Sequence, residues 1–292
     1  MLSLHRLASV AALTLSCTII QPTASPAAAD APALPSVWLA DLTWLELRTA
    51  MQQGVDTVLL PLGGIEARGS HLVLGANNRV LTTIATAAAK KDQWTLVAPV
   101  VPFAPEISDD SLGTLRWPGT LHMSPDSIGS LVAEVTASLK VHGIHHLILL
   151  TNQPAAADAL RDTARALNKS WAVEGVVVGL ADVSPDSAFE KDLLAKFRLT
   201  PEQNGDHGGL IETAEMLACC SDGVRQSTLP RTPGAVEASG ASGRPDLASS
   251  DIGRASLEHK ITSVLATIAE VRSVAAEIKA DQAQEDSAPA AQ

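Results

Sequence analysis

The feature that most constrains this chain is a set of short apolar runs separated by longer segments with helical spacing. The runs at 57–62 (TVLLPL), 95–101, 146–150 and 175–180 are apolar at successive positions, as strands covered on both faces must be. Between them, 42–51, 79–91, 124–142 and 155–168 read as helices. Ser124-Pro125 is a start signal, and Gly54 and Gly143 are stops. Strands alternating with helices predict βαβ units and a mainly parallel sheet in a three-layer αβα sandwich. Ligands of such sheets sit beyond the carboxyl ends of the strands, so the candidate site loops follow Leu62, Val101, Leu150 and Leu180. After residue 210 come a helix at 211–219, a Gly/Ser/Pro-rich segment at 233–250 and a long helix at 251–279. No repeat or second core is visible, so one domain spanning 37–280 is expected, with a disordered Ala/Gln-rich tail at 281–292.

The amino terminus reads as an export signal. His5 and Arg6 precede an apolar stretch at 7–20, Gln21-Pro22 breaks it, and Ala27-Ala28-Ala29 offers small residues for cleavage before Asp30. That stretch is short for a membrane span, so no stable insertion is expected once residues 1–29 are removed. Cys17 also permits a lipoprotein reading. Residues 30–36 form a Pro/Ala linker, and the mature chain is expected in the periplasm or outside the cell. Cys219 and Cys220 then remain; adjacent cysteines in a helix rarely bridge, so they read as buried, inert thiols. The net charge of −11 and the absence of a basic block exclude nucleic acid as a partner. No tyrosine is present and phenylalanines number three, which leaves little for a base-stacking platform.

Several motifs follow in a fixed order. Pro61-Leu-Gly-Gly-Ile-Glu-Ala-Arg-Gly-Ser-His-Leu-Val-Leu-Gly-Ala-Asn77 resembles the creatininase-family hallmark P-V-G-S-x-E-Q-H-G-P-H-L-P-L-x-T-D. Trp117-Pro118-Gly119-Thr120 with Ser124-Pro125 is similar to F-P-G-T-x-x-x-S/T-P-E. The strand at 146–151 leads into a loop similar in place to N-G-H-G-G-N, and the 206–213 segment (DHGGLIET) resembles D-x-H-A-G-E-x-E-T-S. Gly243-Arg244-Pro245 through Gly253 is similar to the late G-D-P element. The resemblance covers about residues 37–275. It implies a metal-dependent amidohydrolase fold acting on cyclic amides and related C–N bonds, with two divalent ions such as zinc or manganese, often in an oligomer.

A dinuclear site needs neutral imidazoles and carboxylates around a metal-activated water. By the resemblance, Glu66 is the one retained ligand position. Arg68 stands at a histidine position, Asn77 at an aspartate, Pro154 at a histidine and Leu210 at a glutamate. Arginine is a permanent cation with no lone pair to donate, asparagine lacks the bridging charge, and proline and leucine offer no ligand atom. A non-catalytic member with no bound cofactor is therefore expected, binding a small polar molecule or a partner subunit through the inherited cleft. The alternative is an amidohydrolase with a reduced or rebuilt site using Glu66, His71 and His207. Arg68 either offers its charge to a ligand carboxylate or pairs with Glu66.

The remaining cleft candidates are Asn77, His122, Asn152, Asp206 and Glu212, the last expected to anchor the helix that follows it. His142, His145 and His146 lie at a helix end and strand start, where a structural role is expected. Asp109-Asp110 reads as a solvated turn. No G-x-G-x-x-G phosphate loop and no G-x-S-x-G nucleophile elbow occur.

Overall fold

The computed structural model describes residues 31–106 and 113–287. The segment expected to be an export signal, with Cys17, the Asp109-Asp110 pair expected to form a turn, and residues 288–292 lie outside the described residues. Strands β1 (Thr57–Leu62), β2 (Thr95–Val97), β3 (His146–Thr151) and β4 (Val177–Asp182) form one parallel sheet in the order β2-β1-β3-β4. The helices are α1 (Trp44–Gln52), α2 (Ala76–Asp92), α3 (Pro125–Val141), α4 (Pro154–Trp171), α5 (Ser187–Lys196), α6 (Pro201–Asn204), α7 (Leu210–Cys219), α8 (Pro233–Ala238) and α9 (Ser250–Ser287).

Side chains alternate across the sheet, as the period of two requires. Leu59, Ile148, Leu150 and Val177 face one buried cluster built with α2 and α9. Val58, Leu60, Leu147, Leu149 and Val178 face the other, built with α3 and α4. Both faces are covered, which gives the expected αβα sandwich. Local chemistry fixes the helix starts. Thr43 and Glu46 form a capping box on α1, and Ser124 caps α3 with Pro125 in its first turn. Pro154 sits in the first turn of α4, where its missing N–H costs nothing.

Several segments differ from the sequence expectation. The run at 95–101 is a strand only over Thr95–Val97; beyond it, extended chain makes single bridges at Val101 with Leu62 and at Ala104 with His122. Helices α5 and α6 occupy a stretch whose sequence shows no helical period, α8 lies in the Gly/Ser/Pro-rich segment, and α9 continues to Ser287, into the segment expected to be a disordered tail. Among the described residues, no helix is long and apolar enough to cross a membrane.

Candidate functional site

The site lies where βαβ topology places it, beyond the carboxyl ends of the strands. Strand β1 runs into Gly63-Gly64 and delivers Glu66, whose backbone N–H donates to Leu74 O at 3.0 Å. Two residues on comes Arg68, nearly fully buried. Asn77 lies in the first turn of α2, Gln153 is the N-cap residue of α4, and Glu212 lies in the first turn of α7. Gly208 lets that last segment close in. Its φ is +56°, and a Cβ there would stand 2.8 Å from the Arg68 carbonyl carbon.

These side chains form one network. Glu66 Oε1 accepts from Arg68 Nε at 2.7 Å, Asn77 Nδ2 at 2.6 Å and Gln153 Nε2 at 2.9 Å. Arg68 also donates to Glu212 and, at 3.3 Å, to Gln153 Oε1. Glu212 Oε2 in turn accepts from Gly208 N–H at 2.6 Å. Burial alone would push the Glu66 carboxyl up, but Arg68 and the Gln153 amide hold it below its ordinary range. Burial likewise opposes the Arg68 charge, and Glu212 with Glu66 more than restores it. Of the two readings of Arg68, the ion pair is the one observed. The acids that engage it are the protein's own, so it offers no open fork to a ligand carboxylate.

A carboxyl that no motif pointed to completes the cluster. Glu106, at the end of the extended chain that follows β2, lies within hydrogen-bonding reach of Glu66. Its Oε2 accepts from Thr114 Oγ1 at 3.1 Å, while Oε1 is buried with no donor among the described residues. Burial, reinforced by the neighbouring Glu66 charge, pushes Glu106 up to about 8. At neutral pH it therefore carries a proton and can donate it toward Glu66, a carboxyl–carboxylate pair. Gln153 was also missed. The available signal was position alone: both residues follow predicted strand ends.

The predicted histidines do not converge. His71 is fully buried, and Nε2 contacts Thr213 Oγ1 at 2.8 Å. Burial lowers it to about 4, so it is neutral. His207 Nε2 lies 2.7 Å from the Ala67 carbonyl and so donates to it. His122 Nδ1 accepts from Glu106 N–H at 3.0 Å, which places it behind Glu106 as a backbone support. Among the described residues, no three His, Cys, Asp or Glu side chains are grouped to hold a metal ion. The donor chemistry agrees. Glu66 Oε1 already accepts from three N–H groups, and the Arg68 guanidinium, a permanent cation with no lone pair to offer, stands directly beside this carboxylate. The residues present do not fit a pair of divalent ions.

In front of this network is an open cleft of about 570 Å³. Asp206 and His207 line it together with Glu106, Trp117, Glu237 and Ser242. Of the residues expected along the cleft, Arg68, Asn77, Asn152 and Glu212 instead surround a smaller, enclosed cavity of about 30 Å³, with Glu190, Glu215 and Lys260. The cleft wall is laced in place. Ser242 Oγ donates to Asp206 Oδ1 at 2.7 Å and accepts from the Asp206 and His207 N–H groups at 2.8 and 3.0 Å. Gly240, at φ +76°, lies against the Trp117 indole, and a Cβ there would come within 2.7 Å of the ring.

The comparisons with known proteins follow the same lines. A curated creatinine amidohydrolase from Pseudomonas putida is 26% identical over 195 residues, 64% of this chain and 73% of that one. A zinc form of a creatininase mutant superposes with a TM-score of 0.68 at 23% identity, over 80% of this chain and 98% of that one. A manganese form of creatininase gives 0.67 at 22% identity, with the same coverage. These likenesses establish the fold. The profile described as creatinine amidohydrolase matches residues 40–268, and the chain belongs to the creatininase family.

Proposed function

We propose that this creatininase-family chain is a non-catalytic member that binds a small polar molecule in its cleft and holds no metal pair. The observation that carries the reading is the Arg68 guanidinium, buried and bonded to both Glu66 and Glu212. A permanent cation there supplies the counter-charge for the carboxylates, and it activates no water. The cleft itself is intact: it is roomy, polar on several sides and braced by hydrogen bonds. Export belongs to the same reading, on the strength of the amino-terminal sequence pattern.

Family membership favours the competing reading, a metal-dependent amidohydrolase with a rebuilt site. Elemental analysis of the purified chain separates the two. Well below 0.1 zinc or manganese per chain is expected, roughly the level of adventitious carry-over for a protein lacking a closed ligand set. No turnover of a panel of lactams and cyclic ureides is expected with either metal added. One or two tightly held ions per chain, with chelator-sensitive hydrolysis, would establish the competing reading.

A further inference from the structure

Helix α1 carries an apolar face out of the core and into solvent. Trp44, Leu47, Arg48 and Met51 recur at three- and four-residue spacing and so share one side of the helix. Leu47 and Met51 are half-buried and pack on the cluster beneath α3 and α4. Trp44 extends the same face with 68% of its surface exposed. Opposite, α3 ends at His142, and Gly143 follows at φ +94°, close enough that a Cβ there would meet Met51 Cε at 3.4 Å. The two helices thereby bound a groove of about 540 Å³, lined by Trp44, Leu47, Arg48, Met51, Gln52 and His142. It shares no residue with the cleft beyond the strand ends.

The charged and polar groups of this groove include no acid. The Arg48 guanidinium stands over the Trp44 ring, 4.8 Å from its centroid, and no carboxylate pairs with it among the described residues. The acid of α1, Glu46, is turned to the cap, where its Oε2 accepts from the Thr43 N–H at 2.7 Å and Thr43 Oγ1 at 2.8 Å. A cation without an acid beside a tryptophan, a leucine and a methionine is complementary to an anionic head on an apolar tail. Size separates the possible occupants. Six lining residues fall far short of the roughly 20–30 a side of a stable protein interface, whereas the volume lies within the about 300–1,000 Å³ of small-molecule sites. From Trp44 to Met51 the helix rises about 10 Å, the reach of a medium-length alkyl chain.

We propose that this groove binds a medium-chain alkyl carboxylate, its head on Arg48 and the His142 ring and its chain along Trp44, Leu47 and Met51. The planar guanidinium offers a carboxylate two parallel N–H donors, which an ammonium cannot. Its seat on the indole holds it over the groove, so less ordering is required on binding. This site stands independently of the metal question and of any ligand in the cleft.

The test is calorimetric titration of the purified protein with octanoate, octyltrimethylammonium and butyrate, each below its micelle concentration. Octanoate is expected to bind at least tenfold more tightly than either control, since head charge and chain are both needed, and more weakly as salt is added. Arg48→Gln and Trp44→Ser, both at exposed positions, are each expected to weaken octanoate about five- to tenfold, while Asp206→Asn in the cleft leaves it unchanged. Equal or tighter binding of either control would overturn the assignment. So would no octanoate binding up to roughly 10 mM, or unchanged affinity in both groove variants. Sedimentation of the same proteins addresses the other occupant. Trp44→Ser is expected to leave the association state as it was; an oligomer that dissociates on that change would give the groove to a second copy of the chain and overturn the proposal.

Discussion

The two ends of this sheet each hold an arginine among acids, and their surroundings differ. At the amino end, Arg272 from α9 forms a two-pronged pair with Asp92, at 2.7 and 2.9 Å, and also bonds Thr57 Oγ1. Beside it, His146 Nδ1 lies 3.0 Å from Asp56. At the carboxyl end, Arg68 is shared between Glu66 and Glu212, with Glu106 pressed against the group. The buried polar atoms lacking a partner among the described residues belong to His71, Asn78, Glu106, Asn152 and Ser184. All five residues follow the carboxyl ends of strands, and none is at the amino end. One end is a satisfied clamp that fastens α9 to the sheet. The other departs from full pairing, as sequences do at functional or strained sites.

The largest test of that contrast is Arg68→Ala. It would leave Glu66 buried, and Glu212 half-buried, without their cation, and a loss of about 3–5 kcal/mol in chemical denaturation is expected. Arg272→Ala removes charge-assisted bonds from a partly exposed clamp, so about 1.5–3 kcal/mol is expected. Should the second cost as much as the first, the two ends would not differ in kind. The smallest effect sharpens the contrast through pH. Glu106 has its folded value raised from 4.5 to about 8, so the folded chain holds that proton more tightly than the unfolded one. Its contribution is fully present below about pH 4.5 and is lost as pH rises through about 8. Glu190, raised by burial to about 7, acts in the same direction. Thermal melts from pH 5 to 9 should show stability falling with pH, and Glu106→Gln should remove part of that slope while Arg272→Ala leaves it. An unchanged slope in Glu106→Gln would show that the shared proton is not there.

Much of the fold was legible because its signals are local. The apolar runs of β1, β3 and β4 and the caps of α1 and α3 depend on residues close in sequence. Helix α5 was not legible, since only Leu193 and Leu194 of its residues are buried and they give no period. At the site, the chemistry of Arg68, Asn77 and Pro154 could be read from residue type, because their inability to ligate does not depend on geometry. What Arg68 does instead could not be read. Its partner Glu212 is 144 positions away, and Glu106 enters from a stretch with no motif. His71 and His207 matched their motif positions, yet their ring nitrogens serve Thr213 and the Ala67 carbonyl. Hydrogen-bond partners of that kind are fixed by packing, which residue type does not encode.

The Arg68 counter-charge is covalently attached. A carboxylate cluster neutralised by a dissociable ion is only as stable as the ion's free concentration allows, because its stabilisation follows mass action. Here the neutralising group is present at unit stoichiometry in every molecule and cannot be titrated away, stripped by a chelator or lost on dilution. On the non-catalytic reading proposed above, folding of this scaffold would not depend on the supply of metal around it.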